Sequence, residues 1–206
     1  MKKIFSTLMC CLVLACNVAS SQESASWTDT DRKYLIENLI RTRDEIVKET
    51  SNLSKEQWNF KESPDRWSIN QVVEHIAIWE LLLDNEISKA LSAGLQPELS
   101  KSVKPDSMYL GFILEEKPHI SIEYTKPFTY TLPMGLNDGK NNIAWFVKMR
   151  DESIEYLKTA KEDLRGYYQV ARPKNIHQVY ITIFGHSRRH LRQIMKIKAN
   201  ANYPKR

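Results

Sequence analysis

Apolar residues recur at helical spacing in four stretches of this 206-residue chain. In the first, 29–53, Leu35, Leu39, Ile46 and Leu53 fall in one narrow stripe, with Arg32, Asp44, Glu45 and Lys48 on the other faces. Ser54-Lys55-Glu56-Gln57 has the form of a capping box and opens a short turn ending at Trp58, which Pro64-Asp65-Arg66 breaks. A second helix starts behind Ser68 and continues to about residue 93, with Ile69, Val72, Ile76, Trp79, Leu83, Ile87 and Ala90 as its core stripe. A third, about 140–165, buries Ile143, Val147, Ile154 and Leu157. The fourth follows Pro173 and runs to about 199, before Tyr203-Pro204 ends the domain.

Residues 94–139 lack a sustained helical period and contain Pro97, Pro105, Pro118, Pro127 and Pro133, so they read as a long crossover. Alternation at Ile120, Ile122 and Tyr124, and again at Phe128, Tyr130 and Leu132, predicts short extended pieces lying over the bundle. The predicted fold is therefore all-α: a four-helix bundle with a long crossover between helices 2 and 3 and no internal repeat. Composition agrees, since 42% hydrophobic residues suffice for one core and only 6 glycines disfavour an all-β chain.

The first residues change the chemistry available to the rest. Lys2 and Lys3 precede a mostly apolar run at 4–15 and a small, polar exit, the pattern of a secretory leader at 1–21, with the bundle at 27–201. That run is shorter than the roughly 20 apolar residues a membrane span needs, and no other segment is long enough. Ala19-Ser20-Ser21 suits cleavage before Gln22, giving a soluble periplasmic or secreted form; Val13-Leu14-Ala15-Cys16 resembles a lipobox and would instead leave a lipid anchor at Cys16. All 3 cysteines, Cys10, Cys11 and Cys16, lie in this segment. The mature domain is thereby denied thiolate nucleophiles, cysteine-held zinc and disulfide scaffolds, and any metal falls to histidine and carboxylate. Loss of Lys2 and Lys3 lowers the formal charge from +5 to +3. For so mildly basic an exported domain, Arg188, Arg189, Arg192, Lys196 and Lys198 read as the solvated back of a helix, not a nucleic-acid surface.

Five histidines remain. His186 and His190 are four residues apart, about 40° around the helix axis and one turn along it, so both rings can reach one ion. They share a sector with Val179, Ile183, Ile194 and Ile197, which places them toward the interior, where an imidazole needs a hydrogen-bond partner or a metal. His75, at the edge of the second helix's stripe, could complete a three-histidine site with an open position, as catalytic zinc uses. His177 falls on the opposite face, exposed or near the helix start, and His119 lies in the crossover; both read as bystanders.

The stretch Leu53-Ser54-Lys55-Glu56-Gln57-Trp58, then Arg66-Trp67-Ser68-Ile69-Asn70-Gln71-Val72-Val73-Glu74-His75-Ile76 with Glu80, resembles the first signature of the DinB-like superfamily. Phe184-Gly185-His186-Ser187-Arg188-Arg189-His190-Leu191-Arg192-Gln193-Ile194 resembles its second. The resemblance covers about residues 29–199. It implies a four-helix bundle with a long middle connection and a divalent metal, zinc or nickel, held by His75, His186 and His190. Some members of that superfamily resemble thiol-dependent transferases or isomerases, whose cofactors belong to the cytoplasm; an export leader argues against that chemistry here.

Three neutral imidazoles leave a bound ion its full charge, which makes hydrolysis of a small ester, amide or related substrate available. The alternative is a non-catalytic protein binding a metal or small ligand. Glu74 and Glu80 lie about 100° and 140° from His75 on the helix and point away from it. A general base could come from the crossover, which holds Glu115, Glu116, Glu123 and Asp138. Arg150 falls among Ile143, Val147 and Ile154 and reads as an arginine snorkelling from the bundle edge, with capture of an anionic substrate as the alternative. Trp67, Trp79 and Trp145 are core residues or pocket walls, and Gln71 and Gln193 are candidate partners for the ligand rings. Pairing of the bundle into a homodimer is a further expectation.

Overall fold

The computed structural model describes residues 26–115, 131–169 and 174–205. The leader, Cys10, Cys11, Cys16, His119, Glu116, Glu123 and nearly all of the predicted extended pieces lie outside them. No strand occurs among the described residues, and none of their helices is long and apolar enough to cross a membrane.

Five helix starts follow from a short polar side chain that closes on the backbone. Thr28 caps α1 (Asp29–Thr50), Ser54 caps α2 (Lys55–Asn59), Ser68 caps α3 (Ile69–Ala93) and Asn175 caps α6 (Ile176–Lys198), each in a reciprocal box with the residue three positions on. Gln71 is consumed in this way: its side-chain oxygen accepts from the Ser68 amide at 3.1 Å, so it supports the helix and not a ligand ring. Asp138 caps α5 (Gly139–Thr159), accepting from the Asn141 amide at 2.9 Å, which removes it from the candidates for a general base.

Two helices end earlier than their periodicity predicts. α1 stops at Thr50 because Asn52 turns into the left-handed region at φ 59°. α5 stops at Thr159, and the Arg32 guanidinium donates to the carbonyls of Leu157 and Ala160 there, satisfying its last turn. The described part of the crossover is more ordered than its sequence predicts. A 3₁₀ turn occupies Pro97–Ser102, and α4 occupies Asp106–Leu114. The run from Met108 to Leu114 is almost wholly apolar and has no amphipathic period to detect, so its helicity depends on packing against α6.

The four long helices α1, α3, α5 and α6 form the bundle, α3 and α1 each packing against both α5 and α6. Their interior is divided. One apolar cluster contains Leu35 and Leu39 of α1, Leu83 and Ile87 of α3, Ile154 and Leu157 of α5, and Val179 to Phe184 of α6. The other contains Ile46 of α1, Ile69, Val72, Val73, Ile76 and Ala77 of α3, Phe146 of α5, and Leu191, Ile194 and Ile197 of α6. One buried polar residue from each long helix, Thr42, Glu80, Arg150 and Ser187, joins a single hydrogen-bonded layer.

Arg150 does not snorkel. It is 0% exposed, because the inner face of α5 is Asn142, Phe146, Met149, Arg150, Ser153 and Leu157, with Ile143 and Val147 displaced to half-buried flanks. All five N–H donors are used: Nε donates to Glu80 Oε2 at 3.1 Å, Nη1 to the Leu39 carbonyl at 3.1 Å and Thr42 Oγ1 at 2.7 Å, and Nη2 to Glu80 Oε1 and Ser187 Oγ. A guanidinium so saturated has no capacity for a substrate anion.

Glycine is required where elements approach most closely. A Cβ on Gly139 would lie 2.2 Å from Cδ2 of the buried Trp58 indole. Gly139→Ala is therefore expected to destabilise the fold by about 1–3 kcal/mol, the usual cost of overpacking, measured as a lowered urea midpoint. A Cβ on Gly185 would lie 2.4 Å from Ile113 Cγ2, so the glycine preceding His186 admits α4 against α6.

Candidate metal centre

His75 on α3 and His186 and His190 on α6 are all buried, and one ring nitrogen from each lies within 4.8 Å of the others. The ring centroids are 4.4 Å apart for His186 and His190, 4.8 Å for His75 and His190, and 5.1 Å for His75 and His186. All three histidines predicted to face inward do so, on the two helices predicted to carry them.

The hydrogen bonds around the rings leave particular nitrogens as donors to an ion. His75 Nδ1 donates to the buried Thr131 carbonyl at 2.6 Å, so its lone pair is on Nε2. His190 Nδ1 donates to Gln193 Oε1 at 2.8 Å, as the sequence placed Gln193 to do, and its Nε2 faces His186 Nε2 at 3.0 Å. Two imidazole nitrogens on a tetrahedral zinc lie about 3.3 Å apart, given Zn–N bonds of roughly 2.0–2.1 Å. The α6 pair therefore needs only a few tenths of an ångström to fit an ion, and the all-imidazole donor set suits a divalent transition metal.

Burial keeps these rings neutral. It pushes His75 down to about 4, aided by the nearby Arg189 charge and opposed by the Thr131 bond. It carries His186 and His190 well below the usual imidazole range, with His75 and Arg189 acting on both in the same direction, His190 adding to the shift of His186, and the Gln193 bond opposing that of His190. Between about 4 and 6.5 the unfolded chain binds a proton at His75 that the folded chain refuses. Stability of the ion-free protein is thus expected to be full above about pH 6.5 and to fall as pH drops toward 4. Urea midpoints at pH 7 and pH 5 check this, and equal midpoints would contradict it.

Neither neighbouring glutamate is aimed at the rings, as the helix angles predicted. Glu74 accepts the amides of Met134 and Leu136 on Oε1 and of Gly135 on Oε2, each at 3.0 Å. It moors the same returning segment whose Thr131 carbonyl holds His75. Glu80 is occupied by Arg150. Glu115 is exposed at the end of α4. Trp67 and Trp79, half-buried, flank the cluster: Trp67 lies 4.7 Å from His75 and 6.5 Å from His190, Trp79 5.1 Å from His186 and 6.3 Å from His75. Trp145 packs against the second apolar cluster.

Two positions correct the sequence reading. Arg189 is not on the solvated back of α6: it is 7% exposed, and its charge acts on all three ligand rings. His177 is at the helix start, as one reading had it, but is buried and not exposed. Trp27 Nε1 donates to its Nδ1 at 3.2 Å, and its Nε2 lies 3.3 Å from Asp106 Oδ2. Arg165 Nη2 bridges Asp106 at 2.9 Å and Asp31 at 2.8 Å, so this network ties the starts of α1, α4 and α6 together. Burial alone would raise the Asp106 carboxyl, yet bonds from His177, Arg165 and Gln178 hold it well below the carboxylate range.

Comparison with curated proteins and with solved structures finds no match. Residues 38–194 match the DinB superfamily, a span that includes His75, His186 and His190 and all four long helices in whole or part. With that span and this helical architecture, the chain belongs to the DinB superfamily.

Proposed function

We propose that this is an exported protein that holds one divalent metal ion, zinc or nickel, on His75, His186 and His190 and hydrolyses a small molecule with it. The observation that carries the reading is the convergence of three buried, neutral imidazoles with no carboxylate in the group among the described residues. Such a set supplies a Lewis acid of undiminished charge with a coordination position left for water or substrate. Thr131 and Gln193 orient His75 and His190 by accepting from their Nδ1 atoms, and burial excludes protons that would compete for the ligand nitrogens. Hydrolysis is preferred to thiol transfer because the leader directs the chain out of the cytoplasm, and no cysteine follows Cys16.

A second reading, a binding protein without turnover, is favoured by one observation. Glu74 and Glu80 are both fully engaged, so neither supplies a general base. A screen of the metal-reconstituted protein against ester, amide and thiol substrates separates the two, with His75→Ala as control. Turnover that His75→Ala abolishes supports the hydrolase; stoichiometric metal with no turnover in any class supports the binder.

A further inference from the structure

We infer that His177 is an acid-released latch: a proton taken up at its Nδ1 breaks the hydrogen bond that docks Trp27, just ahead of α1, onto the start of α6. The inference is independent of the metal site. An indole nitrogen only donates, so the 3.2 Å contact from Trp27 Nε1 makes His177 Nδ1 an acceptor with its lone pair in use. The ring proton of the neutral form is then on Nε2, which lies 3.3 Å from Asp106 Oδ2. A second proton has only Nδ1 to go to. Once it is there, two N–H donors face each other and the bond to Trp27 is lost.

The surroundings favour that proton. The buried His177 ring is faced by Asp31 and Tyr34 of α1, Asp106 of α4 and Arg165 of the loop before α6. Asp31 Oδ1 lies 3.9 Å from its Nε2, and the uncharged Tyr34 ring stacks on it at 6.5 Å. Two carboxylates against the one guanidinium that bridges them leave a negative charge in excess, which an imidazolium cancels. Without the indole bond, Trp27 keeps its amide bond to Asp163 Oδ1 at 2.8 Å and the Arg32 guanidinium 4.4 Å over its ring. Neither reaches α6, and Arg32 is itself answered by Asp29 at 3.7 Å. Acidity thereby determines whether the entry to α1 is docked.

The test follows the indole N–H magnetic resonances of the isotope-labelled mature chain from about pH 7.5 to 5.5, across the ordinary imidazole range. Trp27→Phe identifies the Trp27 signal among those of the 5 tryptophans. That signal is expected to move upfield on acidification while the others hold their positions. Its protection from solvent exchange, relative to free indole at the same pH, is expected to fall roughly tenfold. Nitrogen shifts of the His177 ring, assigned by their loss in His177→Asn, are expected to show the Nε2–H tautomer at the upper pH and two protonated nitrogens at the lower. His177→Asn, whose amide oxygen accepts from the indole and does not titrate, is expected to hold the Trp27 signal constant. A ring still neutral at the lower pH overturns the inference, as does a Trp27 signal that stays put while the ring takes up its proton. An equal Trp27 shift in His177→Asn, or one shared by every indole as in general unfolding, does the same. If His177→Asn does not fold, Asp106→Asn decides: loss of the nearer carboxylate is expected to move the midpoint to lower pH, and an unchanged midpoint overturns the latch.

Discussion

Glu80→Ala is expected to destabilise the protein by about 3–5 kcal/mol, the range for removing one member of a buried ion pair, enough to threaten folding at ordinary temperature. The cause is what the substitution leaves behind. Arg150 is 0% exposed and would keep its charge in the middle of the bundle with two of its five donors unanswered. Replacing both partners together, as Glu80→Leu with Arg150→Met, is expected to recover most of that loss. Apolar residues of similar volume bring no charge to bury. The remaining members of the polar layer tolerate the exchange because they have other acceptors: Thr42 Oγ1 already donates to the Asn38 carbonyl at 2.8 Å and Ser187 Oγ to the Ile183 carbonyl at 3.2 Å. Urea unfolding of the single and double variants measures the difference. A double variant as unstable as Glu80→Ala would mean that the layer contributes more than the pairing of its charges.

Purified mature protein, reconstituted and dialysed without chelator, is expected to carry about one divalent ion per chain, and His186→Ala to carry essentially none. Removing His186 deletes one of the three rings and leaves two nitrogens on different helices to hold the ion. A Gln193→Ala change is expected to weaken binding more modestly, about 10- to 100-fold, because it removes an orienting acceptor and not a ligand. Elemental analysis reads both, with circular dichroism to establish that the variants remain helical. Wild-type protein without metal under these conditions would defeat every role proposed for the three histidines.

The bundle was legible in the chain because its long helices are amphipathic and capped: Ser54, Ser68 and the stripe from Ile69 to Ala90 place α2 and α3 almost to the residue. The inward histidines were legible for the same reason, since spacing on a helix determines which side chains share a face. What escaped were features that break the hydrophobic rule. Arg150 and Glu80 are charged residues at core positions, and a wheel that assigns charge to solvent sends one to the edge and turns the other away. The signal was present in the pair: Glu80 continues the spacing Val72, Ile76 toward Leu83, opposite an arginine on an apolar face. Arg189 escaped because it lies in a run of cations with the half-buried Arg188 and the exposed Arg192, and α4 because an apolar run without polar residues has no period. The moorings at Thr131 and at Met134 to Leu136 are backbone groups, which carry no residue-type signal.

Those moorings also bear on how quickly an ion could leave. His186 and His190 stand on one continuous helix, so their relative positions change little unless α6 itself unwinds. His75 differs, since its ring is fixed by a carbonyl of the same returning segment that Glu74, one residue earlier, clamps through three amides. Swinging His75 out of position requires the Thr131 bond to break, and the Glu74 clamp resists displacement of the segment that bears it. Exchange of a bound ion would then proceed at the rate of local opening of residues 131–136, making metal retention a kinetic property of a loop as much as an equilibrium property of three imidazoles.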